Sequence, residues 1–275
     1  MEENSRASNG CFPENNDDFL DTIFEYANGE TEERLERRPV CDRCRRPITV
    51  CWCPFLPTEP LDVKTEVYIL QHPFEESRCL RTAPMLYHSV RPGKCHIVKS
   101  KKFRPGRFPE IATVLQSPNT ILLYPGDDAV DISELPSLEG DAFYTLVLLD
   151  GTWQQAKGIY TQNAMVKWPQ KVKISHTMTS KYVIRTQPND TSLSTLETAA
   201  IAISILENRP TLVDIMTRPL DALCQFQMAH GAVAHQSKQH RIENGLWEKK
   251  LPQKLLRKME KQQSKADFSD DADKR

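Results

Sequence analysis

Four cysteines fall within thirteen residues: Cys41, Cys44, Cys51 and Cys53, spaced C-x2-C-x6-C-x-C. Thiolates are soft donors, and four of them close a tetrahedral site around Zn²⁺. Two intervening residues let the first pair face one point, and an extended turn lets the second pair do the same. Pro47, Pro54 and Pro57 favour loops over helix here. Four sulfurs leave no open coordination position, so such a site is structural rather than catalytic. The alternatives are four unrelated buried thiols or a redox pair. Arg43, Arg45 and Arg46, inside the same segment, read either as phosphate contacts or as solvated charges. The other cysteines (Cys11, Cys79, Cys95 and Cys224) are scattered and carry no pattern.

Three further segments carry groups that can hold or activate a ligand. Tyr124-Pro125-Gly126 follows the apolar run ILLY, and Asp150-Gly151-Thr152-Trp153 follows LVLL. Ser194, Thr195 and Glu197 open an apolar helical pattern. Each has an ordinary structural reading: Pro-Gly is turn chemistry, Asp or Thr before a helix is an N-cap, and Trp153 is more often core than a stacking platform. Together they supply a turn, a carboxylate, hydroxyls and backbone N–H groups for one crevice. His72, Pro73 and Glu75 follow another strand-like run, with His72 equally readable as a structural histidine. No G-x-G-x-x-G and no G-x-x-x-x-G-K-[ST] occurs, which removes support for dinucleotide and P-loop readings.

Lys99, Lys101, Lys102, Arg104 and Arg107 lie within nine positions with no acid among them, and Phe103 and Phe108 are interleaved. Such a stretch can track phosphates and stack a base; otherwise it is a basic surface loop. The formal net charge of −1 conceals this side of the chain, because residues 1–36 hold 11 acidic and 2 basic residues. That local charge of −9 leaves +8 for the remainder, a balance suited to a polyanionic partner.

The elements that must position these residues alternate. Glu66–Gln71, Cys95–Lys99, Thr120–Tyr124, Tyr144–Leu149 and Tyr182–Arg185 read as strands, and the continuous apolar runs suit a parallel sheet covered on both faces. Pro109–Gln116 and Thr152–Asn163 read as helices. Leu196, Ala199, Ala200, Ile203 and Leu206 have helical spacing behind a Ser194/Glu197 capping-box pattern. Thr211–His235 reads as helix interrupted at Pro219. The sum is an acidic, disordered leader (1–38), a Cys-rich knuckle (39–60), an α/β domain (61–248) and a charged tail (249–275). No apolar run approaches the length of a membrane span. The first residues show neither a basic nor an apolar secretory region, an expectation that leaves cytoplasm and nucleus open.

Asp150-Gly151-Thr152-Trp153, continuing as QQAK, resembles the signature of the DTW-domain proteins. CDRCRRPITVCWCPFLP, YILQHPFEE, ILLYPG, YVIRTQP, LSTLETAA and RPLDALCQFQMAHG agree in order, over about residues 39–232. The set most resembles the second eukaryotic subfamily, tRNA-uridine aminocarboxypropyltransferases. The resemblance implies a SPOUT-like, mostly parallel α/β sheet with a C-terminal trefoil knot, preceded by the zinc knuckle. It also implies S-adenosylmethionine as donor and tRNA as acceptor. The implied reaction joins the 3-amino-3-carboxypropyl group to N3 of a D-loop uridine and releases methylthioadenosine. Carried over by position, Asp150, Thr152 and Trp153 are the catalytic signature. Tyr124, Pro125, Gly126, Ser194, Thr195 and Glu197 line the donor pocket. His72, Glu75, Lys101, Lys102 and Arg104 face substrate. Two rivals remain: an RNA methyltransferase with the same fold and donor, and a non-catalytic, zinc-stabilised tRNA-binding protein.

Overall fold

The computed structural model describes residues 38–176 and 178–248. The expected acidic leader, apart from residue 38, and the charged tail lie outside the described residues. Six parallel strands form one sheet: β1 Glu66–Gln71, β2 Cys95–Lys99, β3 Thr120–Leu123, β4 Val130–Asp131, β5 Thr145–Asp150 and β6 Gln170–Lys173. Their spatial order is β2-β1-β5-β3-β6-β4. The helices are α1 Ala83–Ser89, α2 Pro109–Gln116, α3 Trp153–Gln162, α4 Thr195–Leu206, α5 Thr211–Ala229 and α6 Lys238–Glu243.

Strand side chains alternate faces, and here both faces are buried. Val67, Ile69, Ile121, Leu146 and Leu148 point into one core with residues of α1, α4 and α5. Leu70, Leu122 and Val147 point into the other, with Ile111 and Leu115 of α2 and Ile159 of α3. This double cover explains why β3 and β5 read as unbroken apolar runs. Central β5 pairs with β1 and β3 in parallel register, which brings Gln71 level with Asp150.

Several sequence expectations change. Tyr182–Arg185 is not a strand. Tyr182 is buried in the first core and its hydroxyl donates to the Leu80 carbonyl at 2.5 Å, so its apolar character serves packing rather than pairing. Strand β6 escapes the periodicity search because in QKVK only Val172 is apolar. Pro219 does not interrupt α5, which runs continuously across it. The helix stops at Ala229 instead of His235, where Gly231 takes a φ of 89° and its N–H donates to the Met228 carbonyl; glycine reaches that conformation without a Cβ clash.

The Cys-rich segment is fastened to the same core. Trp52 is 3% exposed, and Phe55 meets Phe226 of α5 edge-on at 6.0 Å. Among the described residues no helix is long and apolar enough to cross a membrane.

Candidate active site and metal centre

In open parallel sheets ligands bind beyond the carboxyl ends of the strands, where the strand order reverses. A cavity of about 560 Å³ lies there, reached by the ends of β3, β5 and β6 and by the loops leading into α3 and α4. It brings together Asp150, Thr152, Trp153, Tyr124, Pro125, Ser194 and Thr195, and adds Glu75 from the turn after β1. Its volume falls in the range of small-ligand sites.

Asp150 ends β5 and is 8% exposed. Gln71 Nε2 donates to its Oδ2 at 2.8 Å, and Thr195 Oγ1 donates to its Oδ1 at 2.5 Å. The first donor comes from the neighbouring strand and the second from the first turn of α4. The carboxylate is thus fixed from two sides. It does not cap α3: that role belongs to Thr152, whose Oγ1 accepts from Gln155 N while Gln155 Oε1 accepts from Thr152 N. Trp153 is not core. It is 52% exposed at the cavity rim.

Glu197 departs from its expected place. Its Oε2 accepts from Ser194 N and Ser180 Oγ, and its Oε1 accepts from Lys181 N at 2.6 Å. Both oxygens are consumed in capping α4 and tying down the 180–181 loop, and Glu197 does not line the cavity. Gly126 also stays outside it, beside the Lys171–Asp128 ion pair.

His72 is buried. Its backbone N–H donates to the Asp150 backbone carbonyl at 2.8 Å, and its ring Nδ1 accepts from Phe74 N at 3.3 Å, capping the turn Pro73–Glu75. Burial, then the charges of Lys101 and Arg78, lower its pKa. Glu75 is 5% exposed. Burial, then the Asp150 carboxylate, raise its pKa against the opposing pull of Arg78 and Arg185.

Lys101, Lys102 and Arg104 are exposed on the loop after β2, outside the cavity. The two aromatics of this basic stretch turn inward to different degrees. Phe103 is 2% exposed, with its backbone N–H donating to Asn163 Oδ1, whereas half-buried Phe108 packs against the same core and lies 5.4 Å from the Arg107 guanidinium. Lys99 is paired with Glu76. The exposed aromatic here is Phe74, 60% exposed, with Lys101 Nζ 4.4 Å above its ring. Arg81, Arg185 and His176 line the cavity without having been singled out in the sequence. Gln71, which clamps Asp150, carries one signal in the sequence: its position at the end of a strand-like run.

The four knuckle sulfurs lie within 4.8 Å of one another. Cys41 and Cys53 Sγ are 3.7 Å apart, and Cys44 and Cys51 Sγ 3.6 Å. These are far longer than a disulfide of about 2.05 Å. A tetrahedron with Zn–S bonds of about 2.3 Å needs sulfurs about 3.8 Å apart, so the donor set fits zinc. The backbone N–H of Cys44, then the Cys51 thiol, lower the Cys41 pKa to about 6, whereas burial raises those of Cys51 and Cys53; metal binding would hold all of them as thiolates and release their protons. Of the three arginines, Arg46 is committed to the Val50 and Cys79 carbonyls, whereas Arg43 and Arg45 are exposed.

The family model for the DTW domain matches residues 38–228. A protein of Macaca fascicularis called tRNA-uridine aminocarboxypropyltransferase 2 is 43% identical over 250 residues, 90% of this chain and 82% of the relative. Proteins of the same name from Mus musculus and Drosophila melanogaster are 45% and 44% identical, covering 83% and 88% of this chain and 77% and 94% of their own. No solved structure matches. A crevice closed around the signature aspartate, a four-sulfur knuckle and these matches agree: the chain belongs to the DTW-domain family.

Proposed function

We propose that this protein is a tRNA-uridine aminocarboxypropyltransferase. It moves the 3-amino-3-carboxypropyl group of S-adenosylmethionine to N3 of a D-loop uridine and leaves methylthioadenosine. The observation that carries the reading is the clamped Asp150 at the floor of a cavity sized for such a donor, in a chain 43–45% identical to relatives named for this activity.

The sulfonium already makes its attached carbons electrophilic, so the protein's task is to choose which carbon meets the nucleophile. In this reading Tyr124, Pro125, Ser194 and Thr195 hold the donor. Asp150 faces the sulfonium and the incoming base, its orientation set by Gln71 and Thr195. Thr152 and Gln155 lock the start of α3, which places Trp153 at the rim to meet the uridine ring. Zinc, held by Cys41, Cys44, Cys51 and Cys53, fixes the fold and takes no part in the transfer. Exposed Lys101, Lys102 and Arg104, with the Lys101–Phe74 pair, form the approach for the tRNA backbone.

The test is mass spectrometry of tRNA incubated with protein and donor, with analysis of the small product. A gain of one aminocarboxypropyl group with methylthioadenosine is expected. A methyl gain with S-adenosylhomocysteine overturns the reading in favour of a methyltransferase, and unmodified tRNA leaves only binding.

A further inference from the structure

Two carboxylates share the cavity, and they are held differently. Asp150 receives one neutral donor on each oxygen. Each oxygen keeps a further lone pair, but both donors sit on fixed elements and set the direction of the carboxylate, which suits Asp150 to orienting a ligand. Glu75 is as deeply buried, yet its Oε1 has no hydrogen-bond partner among the described residues. Arg78 Nε stands 3.1 Å from that oxygen without directing its N–H at it. This buried oxygen is thus ion-paired with Arg78 but receives no hydrogen bond, which leaves it acceptor capacity directed at a ligand cavity.

We propose that Glu75 is the general base of the transfer and that Asp150 is an orienting carboxylate. The assignment rests on the aminocarboxypropyl reading above. Uridine N3 is a poor nucleophile while it carries its proton. In the step assigned here, the N3–H bond breaks and its proton passes to Glu75 Oε1. The freed N3 pair bonds to the chain carbon attached to the sulfonium. The carbon–sulfur bond breaks with its electron pair passing to sulfur, giving neutral methylthioadenosine. Glu75 then releases its proton to solvent.

The surroundings suit that exchange. Burial and the neighbouring Asp150 charge raise the Glu75 pKa, and a stronger base is better matched to so weak an acid. Arg78 and Arg185 oppose the shift. Arg81 also faces the cavity, and His72, which begins the same turn, has a lowered pKa. The elevated carboxyl has a further consequence. Glu75 suits the folded state best when protonated, so the stability it lends is present in acid and lost as pH rises through its folded pKa.

The experiment is single-turnover transfer by the full-length wild type and Glu75→Gln, with saturating donor, across pH and on two tRNAs. One tRNA carries uridine at the target. The other carries 5-fluorouridine, whose fluorine makes N3–H more acidic. Wild-type rate is expected to rise through a pH above the ordinary carboxylate range, and Glu75→Gln to lose that limb and about a hundredfold or more in rate. Its deficit on the 5-fluorouridine tRNA should shrink by about tenfold, because a more acidic N3–H needs less help. Donor binding should be unchanged, and at neutral pH the variant should melt no lower than wild type. A Glu75→Gln rate within about threefold of wild type, or an equal deficit on both tRNAs, overturns the assignment. Absence of transfer by the wild type overturns the proposed function, and this assignment with it.

Discussion

The knuckle and the crevice are built on opposite principles. The knuckle collects four like donors from thirteen consecutive residues, and a metal of fixed geometry can draw them together. The crevice collects Gln71, Glu75, Tyr124, Asp150 and Thr195 from strand ends and a helix start that are distant in sequence. Register gathers them: pairing β1 with β5 in parallel sets Gln71 level with Asp150. In the proposed function, one site is therefore a stability element that chemistry does not enter, and the other is a chemical element whose members owe their places to the sheet.

The sharpest test of that division is loss of a knuckle ligand. Zinc sites of this type bind with free energies on the order of 10 kcal/mol, most of it coupled to folding. Cys41→Ser should lose the metal and lower the melting temperature steeply, because Trp52 and Phe55 connect the knuckle to the core beneath α5. Elemental analysis of wild type should give one zinc per chain. Metal-free wild type with four readily titrated thiols would break the comparison at its first term.

The next effect falls on the crevice and should leave stability nearly intact. Asp150→Asn and Asp150→Ser are expected to lose about 10²- to 10³-fold in transfer, the range for a group that stabilises charge at a reacting centre without moving a proton. With Asn, the new amide keeps an acceptor for Gln71, and the Thr195 hydroxyl can turn to accept from its N–H. Folding therefore survives. Helix capping gives no competing account, because Thr152 and Gln155 hold the α3 box without Asp150. Both variants melting near wild type while keeping its rate would move Asp150 out of the chemistry.

What could be read ahead of the structure follows the same division. The cysteine spacing is local, so the whole four-sulfur cluster was legible. Strands β3 and β5 announced themselves because burial on both faces leaves no polar position. Ser194 and Glu197 announced a capping box, which is a rule about residues three apart. What the sequence left open was non-local. Trp153 and Phe103 are both aromatic beside polar residues, and only packing decides that the first lies at a rim and the second in a core. Glu197 looked like pocket chemistry because nothing in LSTLE shows that Ser180 and Lys181 reach its oxygens. Nothing in strand periodicity bears on the knot that the family resemblance implies.

A smaller effect should appear outside both sites, on the loop after β2. Neutralising Lys101, Lys102 and Arg104 together removes three exposed charges, while Lys99 remains paired with Glu76. The tRNA affinity should fall, and the slope of log affinity against log salt should flatten by roughly two to three. Donor binding and melting temperature should stay unchanged, since none of the three lines the cavity. Unaltered tRNA affinity and salt slope would make this loop a solvated surface and place the RNA approach elsewhere.

The smallest effect tests whether orientation of Asp150 has a value of its own. Thr195 is the first residue of α4, and its hydroxyl is the donor on Asp150 Oδ1. Thr195→Val removes that donor and keeps the side chain's shape. The helix start should hold, because its capping box uses Ser194 and Glu197 instead. The freed oxygen faces the cavity, where water can replace the hydroxyl, so stability should change by less than about 1 kcal/mol. Water does not fix direction as a helix-borne hydroxyl does. A hydrogen bond to a charged group contributes about 1.5–3 kcal/mol, and losing half of the clamp should slow single-turnover transfer by roughly tenfold or somewhat more. Thr195→Ser, which restores the donor, should recover most of that rate. Slow transfer by Thr195→Val with full recovery in Thr195→Ser locates the defect in the hydrogen bond. Equal slowing in both would assign it to the lost methyl group, and to packing of donor against α4.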